Sequence, residues 1–187
     1  MNVHDSRQMA VLMEAEGYEL CGDAHQADLI LMNTCSIRQK AQQKALSELG
    51  RLVKLKQKKP ALIIGFGGCL AQHMQEKIYK RFAGVDFVFG THNIHRLPLM
   101  VDKVVRDGKK ITETGFSPQI TSINIFAPPV NGSVSSFVSI MQGCDNYCAY
   151  CVVPYLRGPE MSRTPEDITD EIKKLAAQGV KEVTLLG

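Results

Sequence analysis

Three short apolar runs, separated by helix-length stretches, limit what this chain can fold into. They are Asp28-Leu29-Ile30-Leu31-Met32, Leu62-Ile63-Ile64-Gly65 and Asp86-Phe87-Val88-Phe89-Gly90. Each is too short for a helix and apolar at consecutive positions, as a strand buried on both faces must be. Helical patterns lie between them. Residues 6–16 carry Met9, Ala10 and Met13 and stop at Gly17. Residues 39–57 place Leu46, Leu49 and Val53 on one face and end before Pro60, and residues 71–82 and 94–105 complete the series. Alternating strands and helices with short links predict an α/β fold, a mostly parallel sheet covered by helices.

The pattern divides the chain. Residues 1–106 read as one α/β domain. Residues 107–133 hold Asp107-Gly108, Ser117-Pro118, Pro128-Pro129 and Asn131-Gly132, all turn or breaker pairs, and read as a linker with some extended structure. A new unit opens in residues 134–187. Residues 136–141 are a strand, and Thr164 caps a helix with Pro165 at its first position and Asp167 three residues beyond the cap. Ile168, Ile172, Leu175 and Ala176 form its apolar stripe, Gly179 ends it, and residues 182–186 are the next strand. One βαβ unit cannot close a barrel, so this second domain is expected to be the beginning of one.

Composition narrows the class of function. Of 187 residues, 44% are apolar and 22% charged, which suits a globular chain with a real core. The formal charge of +3 is too small to argue for nucleic acid by itself. No apolar run approaches a membrane span, and Met1-Asn2-Val3-His4-Asp5 lacks the parts of a signal peptide. A cytoplasmic protein with no membrane partner is expected, acting as a monomer. Its six cysteines are then better read as metal ligands, redox groups or buried thiols than as disulfides.

Three of the cysteines stand together in Gln142-Gly143-Cys144-Asp145-Asn146-Tyr147-Cys148-Ala149-Tyr150-Cys151. Thiolates are the usual ligands of iron–sulfur clusters, and three of them leave one iron of a four-iron cluster open. Such an iron can chelate S-adenosylmethionine, whose sulfonium then breaks on one-electron reduction. A zinc site would want a fourth cysteine or histidine nearby, and residues 152–182 supply none. Lying between a strand and a helix, the loop falls on the face of a (β/α) barrel where active sites form.

The spacing C-x3-C-x-aromatic-C resembles the radical-SAM signature, with Tyr150 at the aromatic position. The run Gly143 to Gly158, with Ser162-Arg163 after it, resembles the methylthiotransferase family. So do Met1-Asn2-Val3-His4-Asp5-Ser6, Asn33-Thr34-Cys35-Ser36-Ile37-Arg38 and Gly68-Cys69-Leu70-Ala71-Gln72 in the first domain. The resemblance implies an N-terminal methylthiotransferase domain followed by a radical-SAM partial barrel, two 4Fe-4S clusters and S-adenosylmethionine. It implies that Cys144, Cys148 and Cys151 bind the first cluster, and that Cys35 and Cys69 are two of the three ligands of the second. Both follow expected strands, which would bring them to one edge of a parallel sheet. The third ligand would precede Met1, so a chain truncated at both ends is expected. Cys21 is a substitute ligand or an ordinary thiol. Met1, Tyr147, Tyr155 and Thr184-Leu185-Leu186-Gly187 resemble the tRNA-modifying branch. That branch implies methylthiolation of adenine C2 in N6-isopentenyladenosine of tRNA, with a reductant such as flavodoxin or ferredoxin.

Other residues admit two readings each. Tyr150 lies by a bound adenine or packs in the core. Arg157 and Arg163 bind cofactor or substrate carboxylate, or pair with Glu160 or Glu171. Arg51, Lys54, Lys56, Lys58 and Lys59 contact tRNA phosphates or form a solvated helix end. His73 is expected to be exposed, and His92 and His95 read as surface residues. Asn33 shapes the turn before Cys35 or bonds to cluster sulfur, and Gly67-Gly68 allows a close backbone approach or simply turns the chain.

Overall fold

The computed structural model describes residues 1–36, 39–117, 124–129 and 132–187. Ile37 and Arg38 of the second family motif, and the breaker residues Pro118 and Asn131, lie outside the described residues.

The first domain is a parallel sheet between two helical layers. Its strands β1 (Leu29–Thr34), β2 (Ile63–Gly68), β3 (Phe87–Phe89) and β4 (Ile111–Glu113) stand in the order β1-β2-β3-β4, every pair parallel. Alternation along the strands sorts the side chains. Leu29, Leu31, Ile63, Phe87 and Phe89 face α1 (Asn2–Ala15) and α5 (Leu97–Asp107), where Met9, Met13, Leu97 and Met100 complete a core. Ile30, Met32, Ile64, Phe66 and Val88 face α2 (Gln39–Leu55), α3 (Cys69–Met74) and α4 (Lys77–Arg81), where they meet Leu49, Leu70 and Ile78.

Two glycines make the sheet possible. Gly65 is in register with Phe87 and Gly67 with Phe89. A Cβ at Gly65 would stand 2.7 Å from Phe87 Cε2, and one at Gly67 2.6 Å from Phe89 Cε1. Each ring therefore occupies the space that a side chain on the neighbouring strand would need.

The elements differ from the sequence reading in particular places. Helix α1 begins at Asn2 rather than residue 6. Its first turn is polar but tethered: Ser6 Oγ donates to Asn2 O at 3.1 Å, and Asn33 Nδ2 donates to the same carbonyl at 2.9 Å. The helix expected over 71–82 is two helices, because Gln75 takes φ 48° and ends α3. The helix expected over 94–105 opens with a 3-10 segment, Thr91–Arg96, and Pro98 starts α5 afresh. Strand β4 lies inside the expected linker, where its apolar Ile111 joins the first core.

The second unit pairs β5 (Ser135–Ser139) with β8 (Glu182–Leu186) in parallel, crossed by α7 (Pro165–Ala177). Thr164 caps α7 as expected, accepting from Asp167 N at 3.2 Å. Val138, Leu175 and Val180 form its small core. The strand expected to run to residue 141 stops at Ser139. Beyond it β6 (Met141–Gln142) turns to pair antiparallel with β7 (Met161–Ser162). That two-residue ladder closes the base of a loop, residues 143–160, which includes the short helix α6 (Val153–Arg157).

Gly67→Ala is expected to cost about 1–3 kcal/mol through forced displacement of the Phe89 ring, read as a lower urea midpoint with unchanged slope. An unchanged midpoint would show that the ring moves freely.

Candidate metal centre

The thiol loop is shaped by its backbone. Gly143 takes φ 84°, and a Cβ there would meet Gly158 O at 2.6 Å. Cys144 N donates to Gly158 O at 3.1 Å, which fixes the first cysteine against the loop's exit. Glu160 N donates to Asp145 Oδ1 at 3.0 Å, and Asn146 Nδ2 approaches Cys144 Sγ at 3.4 Å. Tyr147 adopts φ 45°, a left-handed conformation unusual for a tyrosine, just before Cys148. Cys151 N donates to Cys148 O at 2.9 Å. Cys144 and Cys151 are half-buried, Cys148 is exposed, and all three are free thiols. Tyr150 is 93% exposed, so it takes no part in the core. Tyr147 and Tyr155 lie edge to face at 6.0 Å on the same outer surface.

The second pair of cysteines comes from the sheet. Thr34 at the end of β1 is in register with Gly68 at the end of β2. Cys35 and Cys69 are the residues that follow the two strands, and Cys69 opens α3. Gly68 takes φ 88°, and a Cβ there would lie 2.5 Å from Asn33 Oδ1. Thr34 Oγ1 donates to Gly67 O at 2.6 Å and ties the strand ends together. Asn33 turns to α1, donating to Asn2 O and to Ser6 Oγ at 3.0 Å. Burial pushes the Cys69 thiol above its ordinary value, and Arg157 beside it acts in the opposite direction.

Arg157 is the one residue expected at the thiol loop that the fold carries to this second pair. Its Nη2 pairs with Asp5 Oδ2 at 3.1 Å, with side chains 13% and 7% exposed, and its Nη1 contacts Met1 Sδ. Neither Glu160 nor Glu171 receives it. Arg163 turns inward to Glu171 Oε2 at 2.5 Å and to Ser139 O at 2.8 Å. It is one of the two alternatives the sequence left open for that arginine.

The remaining candidates separate cleanly. His73 is exposed. His92 is not a surface residue: it is 1% exposed, with Nε2 2.7 Å from Arg157 O, because the 3-10 segment turns Thr91 to Ile94 inward. His95 is half-buried. Lys56 binds both Asp86 oxygens at 2.5 Å and Lys59 binds Asp28 at 2.7 Å, so these two cations serve the fold. Lys54 and Lys58 stay exposed, and exposed Arg51 pairs with Glu48. Cys21 is exposed on a turn, with its thiol 3.5 Å from Asp23 O. A cleft of about 850 Å³ is lined by His73, Lys77, His95, Arg96 and Glu113 among others, and no cysteine borders it.

Among the described residues no three His, Cys, Asp or Glu side chains stand close enough to hold a metal ion as arranged. The donor set nonetheless fits an iron–sulfur cluster: three free thiols on one loop pinned at its base, with none spent in a disulfide. Cys148 is the exposed member of the three. The Cys35–Cys69 pair supplies two thiols at one sheet edge.

Residues 1–90 match the Uncharacterized protein family UPF0004, and residues 138–187 match the Radical SAM superfamily. A tRNA-2-methylthio-N(6)-dimethylallyladenosine synthase of Syntrophus aciditrophicus is 58% identical over 187 residues, 100% of this chain and 41% of that protein. One of Geobacter sulfurreducens is 47% identical over 188 residues, covering 100% of this chain and 42% of the relative. The chain belongs to the radical-SAM methylthiotransferase family. It spans about two fifths of the length of these relatives. A solved radical S-adenosylmethionine methyltransferase from Kitasatospora setae, with tryptophan and a SAM analogue bound, superposes with TM-score 0.65 over 99% of this chain and 45% of its own. At 13% identity that likeness shows the fold alone.

Asp5 and His92 are two residues whose placement sequence reasoning missed. Asp5 was visible as an acid four residues before Met9, on the same face of α1 as Met9 and Met13, and all three are buried. Nothing in the local pattern marked His92, because a 3-10 turn has no long apolar period to read.

Burial pushes the imidazoles of His4 and His92 below the ordinary value of 6.5, loss of solvent being the largest cause at each. The unfolded chain therefore binds protons at these sites that the folded chain refuses. Their stabilising contribution is complete above pH 6.5 and is lost as pH falls through the folded values. The urea midpoint is expected to fall between about pH 7.5 and about pH 5.5, and the double variant His4→Gln, His92→Gln to flatten that slope. An equally steep slope in the double variant would count against these two histidines.

Proposed function

We propose that the chain is part of a tRNA-modifying enzyme that places a methylthio group on C2 of N6-isopentenyladenosine, the dimethylallyl-adenosine of its relatives' names. The observation that carries the reading is the joining of two thiol sites: a three-thiol loop after a parallel strand, and two thiols at the first sheet's edge. Proteins similar over the whole chain, named as synthases of this modification, support it.

In this reading Cys144, Cys148 and Cys151 hold a 4Fe-4S cluster, and Cys35 and Cys69 contribute to holding a second. When bound, the first cluster and S-adenosylmethionine supply one-electron cleavage of a carbon–sulfur bond and thereby hydrogen abstraction. The chain's own work is positional. The β6–β7 ladder and the Cys144–Gly158 bond hold the loop, and Tyr150 offers an exposed ring to the adenine of S-adenosylmethionine. Arg163 acts on the cofactor site through the Ser139 carbonyl, at the end of the strand that feeds the loop. Lys54 and Lys58 are the cations open to tRNA phosphates. The enzyme works as a monomer in the cytoplasm with a reductant such as flavodoxin or ferredoxin. Among the described residues no helix is long and apolar enough to cross a membrane.

Reconstituted anaerobically with iron and sulfide and reduced with dithionite, a chain of the relatives' full length is expected to cleave S-adenosylmethionine to 5′-deoxyadenosine, and the 187-residue chain to bind iron without this turnover. Cys148→Ala is expected to lose at least about 100-fold of that rate. A chain of the relatives' full length should then methylthiolate tRNA bearing N6-isopentenyladenosine. Methylthiolation of threonylcarbamoyl adenosine, or of a ribosomal-protein aspartate, would assign another branch instead. Bound iron without cleavage in the full-length chain as well would favour a non-catalytic iron–sulfur and RNA-binding module.

A further inference from the structure

The second unit leaves its thiol loop through α6, and the last residue of α6 is Arg157, six positions beyond Cys151. A five-residue helix satisfies few of its own carbonyls. Two of them are taken by the first domain. Leu156 O accepts from Thr91 Oγ1 at 3.3 Å, and Arg157 O lies 2.7 Å from His92 Nε2. Gly158, at φ 75°, lets the chain pass the imidazole, since a Cβ there would stand 3.3 Å from His92 Nε2. The 3-10 segment thus grips the main chain of α6 from the side of the N-terminal sheet.

The side chain of Arg157 continues in the same direction. It reaches the first turn of α1, where Asp5 takes its guanidinium, and stands beside the buried Cys69. Both partners of the ion pair are nearly excluded from water, so the pair contributes little net stability by itself and much to defining one geometry. Removing either partner leaves a buried charge alone. The same residue therefore belongs to two places: its backbone terminates the Cys144–Cys151 loop, and its side chain is the cation of the Cys35–Cys69 site.

We propose that Arg157 is a positioning residue shared by the two thiol sites, a latch through which the order of the Cys144–Cys151 loop depends on Asp5 in the other domain. The latch also places a fixed positive charge against whatever thiolate-bound group Cys69 helps to hold. That second consequence rests on the proposed cluster at Cys35 and Cys69; the first does not.

Hydrogen exchange on the full 187-residue chain, before metal is added, tests the latch. Asp5→Asn and Arg157→Met are each expected to speed amide exchange at residues 144–157 by at least about tenfold. Arg157→Lys should recover most of the protection, and amides of α7 and β8 should be unchanged in all three variants. In the reconstituted protein, Arg157→Met should lower the reduction potential of the iron bound through Cys69, and Arg157→Lys should not. The latch is overturned if Asp5→Asn leaves exchange at residues 144–157 as in the wild type, or if Arg157→Lys exchanges as fast as Arg157→Met. Absence of iron at Cys35 and Cys69 in the wild type would remove the cluster from the account, while the exchange result would still decide the latch.

Discussion

In-register parallel pairing of β1 with β2 places Thr34 opposite Gly68, and the rest of the molecule is arranged around that alignment. A slip of one residue would send Ile64 and Phe66 to the wrong helical layer and separate Cys35 from Cys69. The alignment is held from three directions. Gly65 and Gly67 admit the rings of Phe87 and Phe89 from β3. Thr34 Oγ1 binds Gly67 O across the strand ends. Asn33 fastens the end of β1 to the start of α1, which sets Asp5 at the same edge. The second thiol site is thus a product of sheet packing.

The first thiol site is built differently. Its loop has no apolar core of its own, and Tyr147, Tyr150 and Tyr155 are largely exposed. Order comes from a two-residue ladder at the base, backbone bonds to Gly158 and Glu160, and the grip of Thr91 and His92 on α6. The loop's thiols are exposed or half-buried, whereas Cys69 is buried at the end of a packed sheet. The buried pair Arg157–Asp5 joins the loop site to the sheet-edge site.

Much of this was legible in the sequence because it is local and periodic. The strand and helix alternation, the cap at Thr164 with Asp167, and the arrival of Cys35 and Cys69 at one sheet edge all follow from runs and spacings. The sequence was less informative where a single residue breaks a period. Gln75 splits a helix by taking a left-handed conformation, and Pro98 divides a 3-10 turn from α5. It was least informative about side chains acting across domains. Arg157 and Asp5 are 152 positions apart, and only the docking of the two units decides that they meet. Lys56 and Lys59 looked like part of a basic helix end because their partners Asp86 and Asp28 stand just before β3 and β1, about thirty positions away in the sequence.

The central claim is that the chain carries two chemically separate thiol sites, one on a loop and one on a sheet edge. Iron and acid-labile sulfide per chain, measured after anaerobic reconstitution, test it most directly. The combined substitution of Cys144, Cys148 and Cys151 by Ala should remove about four irons and leave untouched whatever iron the Cys35→Ser, Cys69→Ser variant loses. Iron content unchanged by the triple substitution, or abolished wholly by the Cys35, Cys69 pair, would contradict the account.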